Sequence, residues 1–517
     1  MSDPRTPDLE RVILTGLLET GAPLHIGSGF DDPAPADDPD TDRSAIIAVC
    51  RDATARPYLP ASTLRGLLRR HAPPDGACAA RLFGYARQAV PKGSPTATAD
   101  IGRAGALRVY DARVAGDAPV TLATDTRIAI DPITRTARDR HLFTEQWVPQ
   151  QTRFHCRFEL DRIDQADLDA FLTMLQAAFD GGPDNGLGAG RSRMHGRLHW
   201  TKDGLRLRTL SRDDYLLWLW ANAPLDRFYQ ERNVAIVTSP PDPAPLTLSV
   251  RIYPRSPLLV SRVPTKQETL AQKHPPHRIV MTAEGQVRIP ASSLKGALRA
   301  QARRILMTIV QHRNPKAPPD HCRGVADALI GKVFGSTAAI AGLFVGEARG
   351  DYDPPRDLHP QWFNALDRFT GGAAEQRLYN VVAAIPDRLD FDLSLQPRLR
   401  GEPWVLGLLC YLLRDALEGD IALGWGRARG YGAVRMILAE ADTAGLPDTA
   451  ARPAGLDRPL PAWKFIRPLV ANALAGSIEP PLQDWLNALD TIIDDALISP
   501  TGAPAPADTG SNEGSTA

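Results

Sequence analysis

Residues 57–72 read PYLPASTLRGLLRRHA, and residues 287–302 read VRIPASSLKGALRAQA. Proline, alanine, two hydroxyl residues, leucine, a basic residue and glycine follow one another in both stretches. The apolar residues from the leucine onward keep the i, i+3, i+4 spacing of one helix face, which predicts a helix in each copy. The proline lacks the N–H that a sheet interior needs, so it ends the strand before it. Each stretch therefore predicts a strand that turns into a helix.

Five further blocks of sequence recur in the same order. Similar residues occupy the paired ranges 23–26 and 257–260, 82–84 and 333–335, 104–112 and 341–348, 131–134 and 367–370, and 187–196 and 423–432. Chance similarity does not preserve the order of so many blocks, so the chain contains a domain of about 190 residues twice. Two copies are too few for a solenoid, and each copy must have its own core.

The order of strand-like and helix-like segments in each copy predicts the fold class. The pattern β-α-β-β-α-β indicates an α+β protein with two tandem ferredoxin-like (RRM-like) domains, each with an inserted hairpin, and a small helical C-terminal part. We expect the domains at residues 8–200 and 245–440. The other predictions are a linker, a helical C-terminal extension and a disordered tail, at residues 201–244, 441–500 and 501–517.

The composition excludes several classes of protein. The chain has 517 residues with 60 basic and 60 acidic side chains. Because the net charge is zero, any contact with nucleic acid must come from local basic patches. The five cysteines are widely spaced and form no CxxC pair, which disfavours a disulfide framework or a zinc ribbon. Since neither a secretory signal nor a membrane-length apolar run is visible, we expect a cytoplasmic protein without membrane contact.

The start of each predicted helix has the residues of a phosphate-binding site. Hydroxyl residues stand where an N-cap belongs, namely Ser62 and Thr63 in the first copy and Ser292 and Ser293 in the second. N–H groups at a helix start attract phosphate, and basic residues one turn apart would add charge. These are Arg65 and Arg69 in the first copy, and Lys295 and Arg299 in the second. The alternative is a plain capped helix with a close-packed glycine.

A glycine-rich block near the end of each copy also favours phosphate binding. Glycines let a backbone approach a phosphate closely, and arginines add paired donors. The blocks contain Gly188, Gly190, Arg191 and Arg193 in the first copy, and Gly424, Gly426, Arg427 and Arg429 in the second. Their spacing matches neither a Walker A loop nor GxGxxG, which disfavours a nucleotide hydrolase. Binding to a polynucleotide backbone agrees better with the pattern.

As an ordered set, these blocks resemble the RAMP superfamily. Within it, the similarity points to the backbone subunits of type III CRISPR effector complexes, and it covers residues 9 to about 439. The resemblance implies RRM-like domains that stack along a CRISPR RNA guide, with a complementary target RNA and other RAMP and large subunits as partners. It also implies a protruding thumb in each copy, at residues 126–148 and 367–386. The thumb residues would be Arg127, Ile128, Ile130, Ile133, Thr134, Phe369 and Thr370.

The resemblance further implies a loop aspartate that works with a divalent metal to cleave the target RNA. The segment before the helix block of the first copy is rich in aspartate, whereas residues 262–286 of the second copy contain none. Asp42 agrees best with the family position and would bind the metal; Asp40 and Asp38 remain alternatives. Carboxylates that face RNA need a cation between them and phosphate, which indicates Mg²⁺. His25 would contact phosphate or transfer a proton, or else it is a structural residue.

We therefore expect a CRISPR RNA-binding backbone subunit with a metal-dependent endoribonuclease in its first domain and a second domain that only binds RNA. A scaffold or capping subunit that binds RNA and cleaves nothing is an alternative. A ribonuclease that processes CRISPR RNA is another, but it needs paired acid–base residues. The histidines of the first copy are scattered, at His25, His71, His141, His155 and His195. A ferredoxin-like pair with no RNA role would leave the recurring basic blocks unexplained.

Overall fold

Each copy of the repeat forms a unit with its own apolar core. In the computed structural model the units are Met1–Asp242 and Pro243–Ala517, and each main core cluster lies within one unit. The structure describes residues 7–32, 46–73, 76–85, 102–131, 133–134, 136–179, 185–235, 245–262, 277–282, 284–354, 356–373, 378–400, 402–438 and 482–498.

The described part of the first unit contains strands β1–β13 and helices α1–α4. The strands are β1 (Leu9–Thr20), β2 (Gly27–Asp32), β3 (Ile46–Val49), β4 (Tyr58–Leu59), β5 (Gly84–Tyr85), β6 (Arg103–Ala104), β7 (Leu107–Val109), β8 (Ala112–Val114), β9 (Ala123–Ile130), β10 (Ala137–Trp147), β11 (Arg153–Ile163), β12 (Leu198–Ser211) and β13 (Gln230–Val234). The helices are α1 (Ala61–Arg70), α2 (Ala77–Phe83), α3 (Gln165–Ala178) and α4 (Arg212–Trp220).

The main sheet of the first unit has the strand order β13-β12-β1-β11-β8-β4, and β7 also pairs with β11. This is the strand order of a ferredoxin-like domain, in which the fourth strand neighbours the first, the first neighbours the third and the third neighbours the second. The corresponding strands here are β12, β1, β11 and β7. Alternation along β11 places Phe154, Cys156 and Phe158 in the core, where residues of α1 and α3 cover them. The arginines next to them in the strand, Arg153 and Arg157, are exposed.

A second sheet of the first unit carries the inserted hairpin. Its order is β2-β3-β10-β9, and β9 and β10 pair as antiparallel strands with Arg127 opposite Phe143. β3 runs parallel to β10, whereas β2 and β3 are antiparallel. Leu24 and Val148 exchange backbone hydrogen bonds of 2.9 and 2.8 Å, which fixes the base of the hairpin to the segment that follows β1.

The described part of the second unit contains strands β14–β23 and helices α5–α9. The strands are β14 (Leu246–Pro254), β15 (Ser261–Arg262), β16 (His277–Ile279), β17 (Val287–Ile289), β18 (Leu343–Val345), β19 (Ala348–Gly350), β20 (Leu358–Phe363), β21 (Tyr379–Ala384), β22 (Leu389–Leu395) and β23 (Val434–Leu438). The helices are α5 (Ala291–Arg313), α6 (Pro319–Phe334), α7 (Pro397–Arg400), α8 (Pro403–Glu418) and α9 (Leu482–Ile498).

The second unit repeats both sheets of the first. Its main sheet has the order β17-β19-β22-β14-β23, with β18 also paired to β22. Its hairpin sheet has the order β15-β16-β21-β20, and Leu258 and Ala384 exchange the same pair of backbone bonds at its base. The predicted α+β class with two tandem ferredoxin-like domains is therefore confirmed.

Helix α9 packs on the second unit. Trp485, Leu489 and Ile493 of α9 are buried in its core. A Cβ atom at Gly407 of α8 would lie 2.4 Å from the carbonyl oxygen of Trp485, so glycine lets the two helices touch. Of the predicted C-terminal extension only residues 482–498 are described, and the predicted tail at 501–517 lies outside the described residues.

Residues 201–235 belong to the first unit, so the prediction of a linker at 201–244 is wrong for them. Strand β12 pairs with β1 along most of its length, and β13 pairs with β12. The apolar residues Leu205, Leu207 and Leu210 are buried in this extension of the sheet. Residues 236–244 lie outside the described residues.

Helix α4 exposes apolar side chains. Leu217 and Leu219 are more than half exposed, and Trp220 is 90% exposed. Its start is capped by Ser211, whose Oγ accepts a hydrogen bond of 3.0 Å from the N–H of Asp214. Throughout the described ranges, no helix has both the length and the apolar character that crossing a membrane requires.

Candidate functional site

The hairpin of each unit turns around an aspartate. The carboxylate accepts hydrogen bonds from the backbone N–H groups two and three residues further on. These donors are Ile133 and Thr134 on Asp131, both at 2.8 Å, and Phe369 and Thr370 on Asp367, at 2.9 and 2.8 Å. The N–H of Thr134, followed by that of Ile133, lowers the pKa of Asp131. The matching bonds lower the pKa of Asp367.

Apolar side chains are exposed at both turns. Ile130 and Ile133 are 56% and 63% exposed in the first hairpin, and Phe369 is 82% exposed in the second. Ile128 is also exposed. Such side chains add nothing to the core of their own unit, and they suit contact with a base or another molecule. The second hairpin begins with β20, earlier than the predicted residue 367.

Arg127, which we expected in the thumb, is buried at the base of the first hairpin. It is 8% exposed. Its Cζ lies 5.0 Å from the ring centroid of Trp147, and its guanidinium forms ion pairs with Glu145 and, at 3.4 Å, with Asp125. Arg127 is therefore part of the hairpin, as predicted for a thumb residue, but its charge is already compensated inside the protein.

Arg193 of the first glycine block joins the same group. Its Cζ lies 5.7 Å from the ring centroid of Trp147, and its Nη2 lies 3.9 Å from Oε2 of Glu145. Burial, followed by the nearby Arg127 guanidinium, lowers the pKa of Arg193 to about 10. The side chain of Arg193 is 17% exposed, so it attaches the block to the hairpin instead of extending into solvent.

His25 is enclosed beside the same tryptophan. It is 4% exposed, its ring centroid lies 5.3 Å from that of Trp147, and its Nδ1 lies 2.6 Å from the carbonyl oxygen of Gln146. His195 contacts Trp147 edge-on at 4.7 Å and is also buried. These contacts correspond to the structural alternative for His25, and enclosure leaves neither histidine placed to reach a phosphate.

The glycine block has the same backbone bonds in both copies. In each block, the residue after the first glycine with positive φ donates its backbone N–H to a carbonyl oxygen. That oxygen belongs to the segment that follows the first strand of the same unit. These bonds join Ala189 to His25 and Trp425 to Leu259, each at 2.8 Å. Gly188 and Gly424 have φ of +75° and +74°, and a Cβ atom there would lie 2.1 and 2.4 Å from those oxygens. Close approach between segments is therefore enough to require glycine at these two positions.

The block then forms a single turn of 3-10 helix. The turn spans Arg191–Arg193 in the first unit and Arg427–Arg429 in the second. Gly190 and Gly426, directly before it, also have positive φ, at +77° and +79°. In the first unit the arginines are half-buried, whereas in the second unit both are exposed.

The start of α1 differs from the predicted phosphate site. The helix begins at Ala61 with Pro60 in the N-cap position, so Ser62 and Thr63 lie inside its first turn. The N–H of Ala61 donates a hydrogen bond of 2.7 Å to the carboxylate of Asp111. This carboxylate already provides the negative charge that a helix start favours.

The two predicted basic residues of α1 have different surroundings. Arg65 donates to the carbonyl oxygens of Leu107 and Phe83, each at 2.7 Å, and thereby connects α1 to β7 and to the end of α2. Arg69, one turn further on, is exposed. Of this pair, only Arg69 faces solvent.

Helix α5 of the second unit starts in the same way. Proline again occupies the N-cap position, so the predicted hydroxyl caps are inside the helix. Its first two turns contain Ser292, Ser293 and Lys295. Arg299 donates to the carbonyl oxygen of Gly335 at 3.2 Å, and burial lowers its pKa. The glycine of each helix is open to solvent, with no atom near a Cβ placed at Gly66 or Gly296.

An aromatic cluster at the base of the second hairpin was not identified from the sequence. Its members are Phe363, Tyr379, Trp425 and Tyr431, whose contacting ring centroids lie 5.5 to 6.2 Å apart. The Cζ of Arg429 lies 5.0 to 5.8 Å from three of these rings. An alignment of the two copies on their glycine blocks would have revealed the cluster. In that alignment Phe363 corresponds to Arg127, and Trp425 corresponds to Ala189.

The candidate catalytic aspartates Asp38, Asp40 and Asp42 lie outside the described residues. The strands that precede and follow them pair with each other, with Asp32 opposite Ile46, in the sheet that also carries the hairpin. Within the described ranges, no group of three or more His, Cys, Asp or Glu side chains could hold a metal ion. Mg²⁺ binding at Asp42 therefore stays a prediction.

Comparison with known families identifies the chain. A family model described as the RAMP superfamily matches residues 17–199 and 281–435. The chain belongs to the RAMP superfamily. One matched region lies in each unit, so the protein contains two RAMP domains in tandem. RAMP proteins bind RNA and are associated with CRISPR systems. No curated protein matches the chain.

Proposed function

We propose that this RAMP protein is a CRISPR RNA-binding backbone subunit of a type III effector ribonucleoprotein, in which it fills two adjacent positions. The observation that carries the proposal is the repeated hairpin with an exposed apolar turn. Two RAMP domains in one chain would present Ile133 and Phe369 at two successive places along a guide–target duplex. Exposed apolar side chains of this kind can wedge between bases.

The proposal includes metal-dependent endoribonuclease cleavage of the guide-paired target RNA by the first RAMP domain. Asp42 would hold Mg²⁺, with Asp40 and Asp38 as the next candidates, because carboxylates are the ligands that this ion prefers. The ion would stabilise negative charge at the scissile phosphate. The nucleophile is the 2′-OH of the RNA, so the domain has to hold the strand in line. The strands that precede and follow the aspartate segment lie in the same sheet as the hairpin, which supports this assignment.

The second RAMP domain is proposed to bind RNA without cleaving it. Residues 262–286, which correspond to the aspartate segment, contain no aspartate. The described residues of that segment, in β15 and β16, keep the same strand pairing. The second domain therefore keeps the strands that flank this segment but has none of its aspartates.

Other RAMP subunits and a large subunit are the proposed protein partners. Leu217, Leu219 and Trp220 of α4 are exposed on one short helix. Clustered exposed apolar side chains mark surfaces that bind other proteins. This helix lies outside the repeated RAMP elements, and it is a surface for contact with a neighbouring subunit.

The decisive experiment measures cleavage of a matched target RNA by the assembled, guide-loaded complex, with Mg²⁺ and with EDTA. Wild-type protein is compared with Asp42→Ala, and RNA binding is confirmed for each sample. We expect one cut to disappear both in the variant and in EDTA while binding persists. Asp32→Ala, just before the segment, is the control and should keep the cut.

Each other outcome has a definite meaning. If the Asp42→Ala complex cuts normally, Asp42 is not required, and Asp40→Ala and Asp38→Ala are examined next. If wild-type protein binds both RNAs and never cuts, the chain is a scaffold or capping subunit. A cut that persists in EDTA and lies in the guide RNA would instead indicate a processing ribonuclease.

A further inference from the structure

The base of the hairpin carries different side chains in the two RAMP domains. Strand pairing sets the correspondence, since Phe143 lies opposite Arg127 in the first hairpin and Tyr379 lies opposite Phe363 in the second. Two residues after Phe143 is Glu145, and two residues after Tyr379 is Val381, so Val381 corresponds to Glu145. The charged pair at the base of the first hairpin is therefore replaced by a phenylalanine and a valine.

This replacement changes the position of the glycine-block arginine. In the first domain Glu145 attracts Arg193 into a buried group with Trp147. In the second domain Val381 provides no charge, and the corresponding Arg429 is exposed. The arginine thus attaches the loop to the hairpin in one domain and faces solvent in the other.

Aromatic rings hold the exposed guanidinium in place. The Cζ of Arg429 lies 5.0 Å from the ring centroid of Trp425, 5.2 Å from that of Phe363 and 5.8 Å from that of Tyr379. One guanidinium nitrogen donates to the hydroxyl of Tyr379. A flexible surface arginine would lose side-chain entropy on binding a ligand, but here the rings have already ordered it.

We propose that Arg429 and its aromatic cluster form a stacking site for one unpaired base of an RNA strand. A planar guanidinium on aromatic rings offers a flat, polarizable and positively charged surface, which suits a nucleobase next to a phosphate. Arg427, exposed in the same turn, lies within the same stretch of backbone and adds charge for the phosphate. A site for phosphate alone has no need of three rings behind the cation.

The corresponding residues of the first domain do not form such a site. Arg193 is mostly buried, its charge is offset by Glu145, and Ala189 stands where the second domain has Trp425. The inference therefore assigns the unpaired base to the second domain alone. The inference rests on the proposed RNA-binding function. It adds that the base of the nucleotide is recognised, and that the second domain recognises it.

The test measures the binding of two fluorescent strands to the full-length chain, a short single-stranded oligouridine and an abasic strand of equal length and charge. Arg429→Lys keeps the charge but removes the planar group. We expect it to weaken oligouridine binding about tenfold and to leave the abasic strand unchanged. Trp425→Ala should have the same selective effect. Arg193→Lys is the matched control from the first domain and should change neither affinity.

A second readout needs no variant. Oligouridine that carries 4-thiouridine is irradiated in complex with the wild-type protein, and crosslinked peptides are mapped by mass spectrometry. We expect crosslinks within residues 425–431 and none within 189–195. The melting temperature of each variant is compared with that of the wild-type protein, which distinguishes a loss of RNA binding from a loss of folding.

Several results would overturn the inference. If Arg429→Lys weakens binding of both strands equally, the site recognises phosphate alone. If the variant changes neither affinity and no crosslink falls in residues 425–431, RNA does not contact the cluster. If wild-type protein binds neither strand, the RNA-binding function fails as well, and this result is distinct from the other two.

Discussion

Glu145 forms an ion pair with the guanidinium of Arg127 at the base of the first hairpin, where their side chains are 12% and 7% exposed. The same carboxylate oxygen lies 3.9 Å from Arg193. One acidic group thus compensates two buried cations, and Asp125 forms a second ion pair with Arg127. Buried charges are tolerated when they are paired, and removal of one partner leaves the other uncompensated.

Replacing Glu145 should therefore destabilise the first domain strongly. We expect Glu145→Gln to lower its free energy of unfolding by about 3 kcal/mol, because two buried guanidinium groups lose their main counter-charge. Arg193→Met removes one cation and should cost less. Hydrogen exchange of β9 and β10 in increasing urea measures the effect. Equal protection in Glu145→Gln and wild-type protein would show that the carboxylate does not compensate these charges.

The glycine block should not tolerate a side chain at its contact with the segment after β1. Gly188→Ala would place a Cβ atom 2.1 Å from the carbonyl oxygen of His25 at a φ of +75°. We expect a loss of more than about 2 kcal/mol in the free energy of unfolding. Gly66→Ala, in the middle of α1 with open space around it, should instead add about 0.5 to 1 kcal/mol. Thermal unfolding of both variants distinguishes the two expectations, and a stable Gly188→Ala protein would contradict the first.

The turn of the first hairpin should lose order in acid. The N–H groups of Thr134 and Ile133 lower the pKa of Asp131, so the folded turn favours the ionised carboxylate. A lowered pKa gives stability that is present above the unfolded value, about 3.9, and is lost as the pH falls through the lower, folded value. Hydrogen exchange of residues 131–134 should therefore increase, relative to the intrinsic rate, below about pH 4.

Asp131→Asn is the matched control for this pH effect. An asparagine side chain still offers an oxygen to both N–H groups, but it does not titrate in this range. Protection of the turn in the variant should be independent of pH. A wild-type turn whose protection does not change between neutral pH and pH 3 would exclude the carboxylate as its main support.

Replacing Arg65 should lower the stability of the first domain, whereas replacing Arg69 should affect RNA binding alone. Arg65→Met leaves two backbone carbonyl oxygens without their donor, and we expect a loss of about 1 to 3 kcal/mol in stability. Arg69→Met should change stability by less than about 0.5 kcal/mol. If Arg69 contacts phosphate, its variant should weaken RNA binding and reduce the slope of log K against log salt by about one unit. An unchanged slope would place Arg69 off the RNA path.

Much of the fold was predictable from the sequence because repetition and apolar spacing both reflect packing. The helix faces with Leu64, Leu67 and Leu68, the order of strands and the two hairpins could all be predicted. The strands β12 and β13 could not, since charged residues alternate with leucines there and a nearby proline-rich stretch suggested a linker. The helix caps were also misplaced, because proline occupies the N-cap position that we had assigned to serine.

The candidate site was less predictable than the fold. Arg127, Arg193 and Arg65 are the same kind of residue as Arg69 and Arg429, and a sequence motif does not show which guanidinium is buried. That depends on partners distant in the chain, such as Glu145 for Arg193 or the carbonyl of Phe83 for Arg65. Burial of His25 likewise depends on Trp147, which is more than a hundred residues away in the sequence.

The two hairpin bases also limit how the duplicated halves of the gene can exchange sequence. A recombination event that placed β21 beside β9 would put a valine in place of Glu145 and leave Arg127 without its main counter-charge. The reciprocal product would bury a glutamate beside Phe363. Either hybrid would bury a charge with less compensation than it has in the wild-type protein, which is destabilising. The two hairpin bases are therefore not interchangeable, and we expect each strand pair to be stable only when both of its strands come from the same half.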